Sequence, residues 1–219
     1  KKIITPARCI DVCFADRYSV SIINGKKFNL LKQSSLDLLA RKYFYDVYSM
    51  DQLACNSPHF LFWIGKISEK NKNYFFKKIS NIAQKKFSFD EIHMMNKYSN
   101  LTDKIMKYKN IGSIKMYENY LYTVEINNQN IDIENIRGVN GIIFQLHIQN
   151  INKLSNYVKK KCQTITYFGV RNKEFESLIT KYNLLGGDRI VEIGKAFNFN
   201  LIWDGIDTIN ILSRTVGVE

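Results

Sequence analysis

The alternation of apolar and polar residues along this chain predicts short strands and amphipathic helices in a regular order. Residues 8–25, RCIDVCFADRYSVSIING, alternate and end in Asn24-Gly25, which predicts strand material closed by a turn. The apolar run HFLFWI, residues 59–64, predicts a buried strand. Between them, residues 34–50 carry apolar side chains at helical spacing, namely Leu36, Leu39, Tyr43 and Val47.

Two further helices and a hairpin are predicted in the middle of the chain. The helical patterns occupy residues 71–84 and 87–108. Ser88 and Glu91 have the spacing of a capping box, in which a hydroxyl and a carboxylate satisfy free backbone amides at a helix start. Residues 111–127, IGSIKMYENYLYTVEIN, alternate again and predict a β-hairpin.

From Gly141 onward, short strands alternate with short helices. Strand patterns occupy residues 141–148, 164–170 and 189–194, and helical patterns occupy residues 152–161 and 173–182. Strands alternating with helices of about ten residues indicate βαβ units, in which helices cover a parallel sheet. We therefore expect the α/β class, with a largely parallel sheet, covering helices and a β-hairpin arm at about residues 113–126.

Composition supports one folded domain and leaves its partner open. The chain has 219 residues, 45% of them hydrophobic, which is enough for a substantial core. We see no internal repeat and no linker, so we expect one domain over residues 1–219. The net charge of +12 can attract nucleic acid, an anionic membrane or a phosphate-bearing ligand. Most lysines are dispersed, and the densest run is Lys159-Lys160-Lys161, which favours solvated helix faces.

Targeting and cysteine patterns predict a soluble cytoplasmic protein with free thiols. No apolar run approaches the roughly 18 residues that cross a bilayer, and the first four residues, KKII, are too short for a signal peptide. The four cysteines have neither the density nor the spacing of a secreted disulfide framework. Neither a Cys-x-x-Cys nor a paired His-x-x-x-His motif occurs, so we expect no metal site.

One cysteine has unusual neighbours. Cysteines beside apolar strand residues are usually small buried side chains, which we expect for Cys9, Cys13 and Cys162. Cys55 instead follows Asp51-Gln52 and precedes Asn56-Ser57-Pro58, which are polar and turn-forming residues. We expect these residues to lie at a hydrated boundary, with Cys55 exposed on the loop between the predicted helix and strand. Because the thiolate is the reactive form of cysteine, Cys55 is the candidate nucleophile.

Two blocks of the sequence carry a family resemblance. The first is Asp51-Gln52-x-x-Cys55-x-Ser57-Pro58. The second and more specific block is residues 186–214, which contain in order Arg189, Gly194, Trp203-Asp204-Gly205, Asp207 and Arg214. Together they resemble the acyl-CoA reductases of the bioluminescence type, the LuxC family, within the aldehyde dehydrogenase superfamily. The resemblance covers essentially the whole chain but only the C-terminal, catalytic half of a family member, without most of the nucleotide-binding domain.

The resemblance implies a two-step reduction at Cys55. The thiolate takes the acyl group from a long-chain acyl-CoA or another acyl thioester, and NADPH reduces the acyl-enzyme to a fatty aldehyde, as in the supply of aldehyde for luminescence. Exchange between thioesters is nearly isoenergetic and keeps the carbonyl electrophilic. The resemblance also allows a homo-oligomer and an acyl-transferring partner enzyme.

The cofactor is expected to bind mainly outside this chain. Gly186-Gly187 precedes a strand rather than opening a helix, so no dinucleotide-binding turn is predicted. The family's cofactor-clamping Glu-x-Phe-Gly-Pro is represented by Arg137-Gly138-Val139-Asn140-Gly141. Two interpretations of Arg137 stay open, a residue that faces a phosphate or CoA and a plain turn residue. The isolated chain is therefore expected to be incomplete for turnover.

A second departure suits a reductase. Aldehyde-oxidising relatives carry a glutamate before the segment that matches RYSVSII, and this glutamate activates water to hydrolyse the thioester. Here the stretch is CFADRYSV, residues 13–20, which has no glutamate. The resemblance thus implies that the acyl-enzyme is not hydrolysed by this route.

Other side chains have a functional and a structural interpretation. His59 is a candidate proton shuttle, but a buried or edge side chain is the commoner situation. Trp203-Asp204-Gly205 could line an acyl pocket, although an aromatic residue beside a turn more often serves packing. We expect His93 and His147 to be ordinary helix and strand residues.

Two functions from other classes remain as alternatives. A nucleic-acid-binding module would explain the positive charge, and it predicts a clustered basic face with interleaved aromatic residues. A catalytically silent assembly domain would keep the fold and pair subunits through the hairpin near residues 113–126. That second alternative predicts a buried, unreactive Cys55.

Overall fold

The computed structural model describes residues 9–10, 12, 14–127, 130–214 and 216–218. Its helices and strands, in chain order, are β1 (Tyr18–Asn24), α1 (Gly25–Asn29), α2 (Gln33–Tyr48), β2 (Pro58–Ile64), α3 (Glu69–Lys86), α4 (Glu91–Lys107), β3 (Ile111–Tyr117), β4 (Leu121–Ile126), β5 (Ile142–Ile148), β6 (Cys162–Phe168), α5 (Asn172–Tyr182), β7 (Arg189–Glu192), β8 (Ile202–Trp203), β9 (Ile206–Asp207) and α6 (Thr208–Leu212).

Seven strands form one sheet in the order β3-β4-β5-β2-β1-β6-β7. Every neighbouring pair from β4 to β7 is parallel, and only β3 and β4 are antiparallel. The expected α/β class with a largely parallel sheet is therefore confirmed. Because the parallel strands all begin at one edge of the sheet, the loops that precede them meet there, and we call this the amino edge.

Helices cover both faces of the sheet. On one face, α1, α2 and α3 pack over an aromatic cluster in which Phe28 lies edge-on to Trp63 and Phe75, at centroid distances of 5.3 and 5.6 Å. On the other face, α5 and the segment between β5 and β6 pack against alternate residues of the same strands, such as Val20 and Ile22 of β1. The near-continuous apolar strands follow from this burial on both faces.

The predicted hairpin is confirmed and joins the main sheet. Strands β3 and β4 pair from Ile111 with Ile126 to Tyr117 with Leu121. Strand β4 also pairs with β5 along residues 122–125. The hairpin therefore forms the outer edge of the sheet.

Two local predictions were wrong. Helix α4 begins at Glu91 with Asp90 as its N-cap, not at Ser88. The second error is the helix expected over residues 152–161, where only a short 3-10 helix, Ile151–Asn156, forms. The strand predicted before Asn24-Gly25 does end at Asn24, whose side chain accepts a hydrogen bond from the Lys27 amide and caps α1.

Distance explains the missing helix. The connection from β5 to β6 passes β2 and β1 and returns from one edge of the sheet to the other. With strands about 4.8 Å apart and seven-residue strands about 23 Å long, the 13 residues 149–161 must span roughly 27 Å. An α-helix would advance only about 1.5 Å per residue, too little for this span, whereas 3-10 and extended backbone advance further.

No helix in the described part of the chain is long and apolar enough to cross a membrane.

Lys97 of α4 is a fully buried amine near the hairpin turn. Its ammonium group donates a hydrogen bond to the Asn119 carbonyl and lies 4.6 Å from the Phe89 ring centroid and 4.5 Å from that of Tyr122. Burial lowers the pKa of Lys97 to about 7. The folded state therefore holds this proton less tightly than the unfolded chain does.

We expect the pH dependence of stability to reveal Lys97. Its pKa is about 7 when folded and 10.5 in the reference state, so the folded state binds fewer protons between these values and the free energy of unfolding rises with pH. The rise between about pH 7 and pH 9.5 should be at least about 1 kcal/mol and should be absent in Lys97→Met. Urea unfolding at both pH values measures it. Substituting the exposed Lys85 by methionine is the control, and an equal rise in Lys97→Met would contradict the prediction.

Candidate active site

Cys55 lies at the amino edge, on the loop between α2 and β2. Residues 49–57 form this loop, here called the Cys55 loop, and the Cys55 side chain is exposed. The predictions of a loop position and of exposure are confirmed. A thiol in this position is open to a reagent from solvent.

Gln52 anchors the Cys55 loop to the start of β5. Its side chain is fully buried and makes four hydrogen bonds. Nε2 donates to the carbonyls of Pro58 (3.1 Å) and Ile142 (2.8 Å), and Oε1 accepts from the amides of Gly141 (3.0 Å) and Ile142 (3.2 Å). Both N–H groups of Nε2 donate, and Oε1 accepts two bonds, so the buried amide side chain is fully hydrogen-bonded without water.

Further bonds fix the backbone beside the thiol. Ser19 of β1 donates its hydroxyl to the Cys55 carbonyl at 2.6 Å and accepts the Thr164 amide of β6 at 3.1 Å. The Asn56 side chain donates to the Ala196 carbonyl at 2.8 Å. The exposed thiol therefore sits on a backbone tied to β1, to β5 and to the segment after β7.

The expected hydrated boundary around Cys55 is wrong for most of its neighbours. Gln52, Asn56 and Ser57 are buried, because their polar atoms find partners within the fold. The exception is the Ser57 hydroxyl, which is buried without a hydrogen-bond partner. The thiol is exposed, but the residues around it form a rigid base.

The other cysteines differ in exposure. Cys162 is buried as expected, and burial raises the pKa of its thiol. Cys9 is exposed, contrary to expectation, and neither it nor Ile10, Val12 or Phe14, the described residues nearest to it, joins a strand. Cys13 lies outside the described residues.

His59 is a buried neutral side chain of β2. Its Nδ1 lies 2.8 Å from the Gly138 carbonyl, and since a carbonyl can only accept, Nδ1 carries the proton. Burial lowers the pKa of His59 to about 4, so the ring is uncharged at neutral pH. This contact ties the start of β2 to the loop before β5.

Arg137 is held by an acid at the same edge. Its guanidinium forms a two-bond ion pair with Asp16, at 2.5 and 2.9 Å, and this bond is the main reason that the pKa of Asp16 is lowered. The Arg137 Nε donates to the Glu134 carbonyl at 3.2 Å. The guanidinium is therefore occupied in contacts with its own chain.

Residues 186–214 contact the Cys55 loop at Ala196, through the Asn56 side chain. Arg17 forms an ion pair with Asp188 and donates to the Asp204 carbonyl at 3.5 Å. Trp203 stacks on Phe199 at a centroid distance of 4.9 Å, and the Arg189 guanidinium lies 5.0 Å from the Trp203 ring centroid. Trp203 and Asp204 thus have packing contacts that account for their positions.

Asp46 of α2 is a functional candidate that sequence reasoning missed. It is 1% exposed and accepts two backbone amides, Gly194 at 2.6 Å and Ala196 at 3.0 Å. A signal was present, because Asp46 falls three residues after Tyr43 on the apolar face of α2. A carboxylate at such a position needs partners.

The described residues do not offer a dinucleotide site of the usual kind. The passages from β1 into α1, from β2 into α3 and from β6 into α5 each contain a single glycine, namely Gly25, Gly65 and Gly169, and β9 runs into α6 without one. At Gly186 an added Cβ would lie 2.0 Å from the Lys159 carbonyl oxygen, so this glycine serves close packing of two loops. The prediction that Gly186-Gly187 opens no helix is confirmed.

A cavity of about 610 Å³ lies at the opposite edge of the sheet, where β6 and β7 end. Leucine, valine and aromatic side chains line it, together with Lys42 and Glu192. It contains no cysteine. The cavity and Cys55 thus lie at opposite edges of the sheet.

The positive charge is locally concentrated on α2 and α3. A cavity of about 250 Å³ is lined by four cationic side chains, and within the described part of the chain Lys78 alone among them pairs with an acid, Asp37, at 3.1 Å. Lys86 donates to the Tyr45 hydroxyl at 2.9 Å. The four cations are Arg41, Lys78, Lys85 and Lys86.

Comparison with known proteins identifies the family. The family model described as acyl-CoA reductase (LuxC) matches residues 4–215. No curated protein has a matching sequence.

Solved structures with a similar fold include several dehydrogenases. An NAD-dependent aldehyde dehydrogenase from Sinorhizobium meliloti has a TM-score of 0.50 at 13% identity over 80% of this chain and 37% of its own. A lactaldehyde dehydrogenase has 0.51 at 8% identity over 80% and 39%. A 1-pyrroline-5-carboxylate dehydrogenase from Thermus with bound NAD has 0.52 at 10% identity over 80% and 36%. The chain thus spans about two fifths of these relatives, and at such identities the likeness shows the fold.

Proposed function

Because the chain belongs to the acyl-CoA reductase (LuxC) family, we propose that it is the catalytic domain of a long-chain fatty acyl-CoA reductase with Cys55 as the nucleophile. One observation supports this most directly, the exposed thiol of Cys55 on a buried, hydrogen-bonded base at the amino edge. We assign residues 1–219 to this one domain and place the protein in the cytoplasm.

The proposed reaction conserves a thioester in its first half. The Cys55 thiolate attacks the carbonyl carbon of the acyl-CoA, the bond from that carbon to the CoA sulfur breaks, and CoA leaves as a thiolate. The acyl group is then held as a thioester on Cys55. No atom is oxidised or reduced in this half.

The second half needs a hydride donor. A nicotinamide cofactor, which we assign as NADPH, would supply a hydride to the acyl carbon. Breakage of the carbon bond to the Cys55 sulfur then releases the aldehyde and restores the thiolate. We propose that this cofactor binds mainly to a part of a longer protein, because the described residues lack a glycine-rich turn from a strand into a helix.

The substrate and partners are part of the same proposal. An acyl thioester, such as long-chain acyl-CoA, is the donor, and an acyl-transferring enzyme or a second copy of the chain are further partners. The exposure of Cys55 argues against the assembly-domain alternative, which requires a buried thiol. The small basic cavity on α2 and α3 is the feature that a nucleic-acid module would use, but it holds only four cations.

Intact-mass analysis tests the first half-reaction without the cofactor. We expect incubation with a long-chain acyl-CoA to add one acyl group per chain and to release one equivalent of free CoA, because thioester exchange needs only the thiolate and the substrate. Hydroxylamine, which cleaves thioesters, should remove the adduct. An unchanged mass, or an adduct that resists hydroxylamine, would refute the proposal.

A further inference from the structure

We propose that Asp46 is a positioning residue for Cys55, acting through the backbone of Ala196 and the side chain of Asn56. The inference rests on the proposed function, since it assigns a role relative to the Cys55 nucleophile. Asp46 lies on α2. The residue on which it acts is Asn56, which directly follows Cys55 in the chain.

A continuous chain of hydrogen bonds carries the inference. The Asp46 carboxylate accepts the amides of Gly194 (2.6 Å) and Ala196 (3.0 Å), which belong to the turn at residues 192–198. The carbonyl of Ala196 accepts the Asn56 side chain at 2.8 Å. Asn56 is 8% exposed and directly follows Cys55. The 192–198 turn therefore helps to position Asn56, the residue beside the thiol.

Arg189 also binds this turn, from the side opposite Asp46. The guanidinium donates to the carbonyls of Ala196 (2.5 Å) and Lys195 (2.8 Å). Gly194 has a positive φ of 95°, and an added Cβ would lie 2.8 Å from the Cβ of Lys42. The hydrogen bonds that Arg189 donates and those that Asp46 accepts together fix the backbone conformation of this turn. Two residues of the family-like block, Arg189 and Gly194, are thereby connected to Cys55.

Ionisation of Asp46 strengthens both of its hydrogen bonds. Burial raises the pKa of Asp46 to about 6, although the cations of Arg189 on β7 and Lys42 on α2 favour the ionised form. Tyr43, also on α2, faces it as an uncharged phenol whose pKa is raised, mainly by burial. Above about pH 6 both carboxylate oxygens accept. Below it one oxygen becomes a hydroxyl, which is a weaker acceptor, and the bond from that oxygen to the turn is weakened.

The proton linkage of Asp46 lowers its contribution to stability at neutral pH. The folded pKa of about 6 exceeds the reference value of 3.8, so this group favours folding most below about pH 4 and less as the pH rises through 6. At neutral pH the protein thus retains a buried charge that lowers its own stability. Such a sacrifice is common where a group serves activity.

Asp46→Asn and Asp37→Asn give a matched pair for the test. Both are carboxylates of α2, but Asp37 contacts Tyr74 and Lys78 rather than the turn. We expect Asp46→Asn to slow acylation of Cys55 by acyl-CoA between about tenfold and about 100-fold at pH 7.5, since small misplacements of a reacting group have effects of this size. Asp37→Asn should stay within about twofold of the original chain.

The pH profile separates positioning from general damage. The ratio of the rates of the original chain and Asp46→Asn should fall towards one as the pH is lowered through 6, because Asp46 is then protonated. Far-ultraviolet circular dichroism checks folding of each variant. Asn56→Ala breaks the same chain at its other end and replaces Asp46→Asn if that variant does not fold. In the double variant, Asp46→Asn should add less than about twofold to the effect of Asn56→Ala.

The outcomes distinguish this inference from the proposed function. If the original chain forms no acyl adduct, the proposed function fails, and alkylation of Cys55 by iodoacetamide then supplies the readout. An inflection near pH 6 in that alkylation rate, present in Asp37→Asn and missing in Asp46→Asn, supports the positioning role. Equal rates and equal pH profiles for Asp46→Asn and Asp37→Asn, or fully additive effects of Asp46→Asn and Asn56→Ala, overturn it.

Discussion

Replacing Cys55 with alanine should reduce formation of the acyl adduct by at least about 1,000-fold, because thioester exchange has no route without the thiolate. The substitution should leave the fold intact. The Cys55 side chain is exposed, and the bond from Ser19 goes to the Cys55 backbone carbonyl, which alanine keeps. The free energy of unfolding should change by less than about 0.5 kcal/mol. Stopped-time intact-mass measurements with long-chain acyl-CoA give the rate.

Cys9→Ala is the matched control, because Cys9 is the other exposed thiol among the described residues. It should retain the full adduct if reaction depends on the setting of Cys55 rather than on exposure alone. Cys162 is buried and its Sγ donates to the Thr164 carbonyl at 3.8 Å, so it should not react in the folded chain. An adduct that survives in Cys55→Ala and disappears in Cys9→Ala would show that Cys9 is the residue that reacts, and the assignment of Cys55 as the nucleophile would be wrong.

The strands of the sheet could be predicted from the sequence because helices bury them on both faces. Strand β2 has six buried residues in a run of seven, and β5 has the same number. Such runs, separated by helical spacing, have few alternatives to βαβ units. The class, the strand positions and the hairpin could therefore be predicted.

Periodicity failed where long-range geometry decides. Residues 152–161 have the composition of a helix, but the span between two distant strands requires a longer path per residue. Residues 8–17 alternate like a strand, yet no neighbour pairs with the described ones, and Ile10 is 63% exposed. Apolar and polar alternation indicates which residues could be buried on one face of a strand. It does not indicate whether a partner strand is present.

The candidate site was found for a reason that was only half right. Polar neighbours led to the prediction that Cys55 is exposed, and it is. Those neighbours are buried, however, and make hydrogen bonds to residues 90 and 140 positions away in the chain, Ile142 and Ala196. Such partners cannot be deduced from local spacing. Asp46, by contrast, interrupts an apolar helix face and could have been singled out.

Gln52→Ala should be the most destabilising single change in the Cys55 loop. Asp51 and Gln52 both have positive φ, 54° and 63°, a conformation that is unfavourable for residues other than glycine. The four hydrogen bonds of the Gln52 side chain offset this strain and hold the loop on β5. Alanine keeps the strain and removes all four bonds.

The expected loss for Gln52→Ala is about 3–5 kcal/mol in the free energy of unfolding. Truncation removes the side-chain partner of the buried carbonyl of Pro58 and that of the Gly141 amide, each at a cost of about 1–3 kcal/mol, and opens a cavity. Urea unfolding measures the change. The control is Gln33→Ala, whose exposed side chain makes one bond, to the Tyr74 hydroxyl at 3.0 Å, and which should change stability by less than about 0.5 kcal/mol. If the two variants are equally stable, the buried amide is not what holds the strained turn, and the rigid base under Cys55 must come from Ser19 and Asn56 alone.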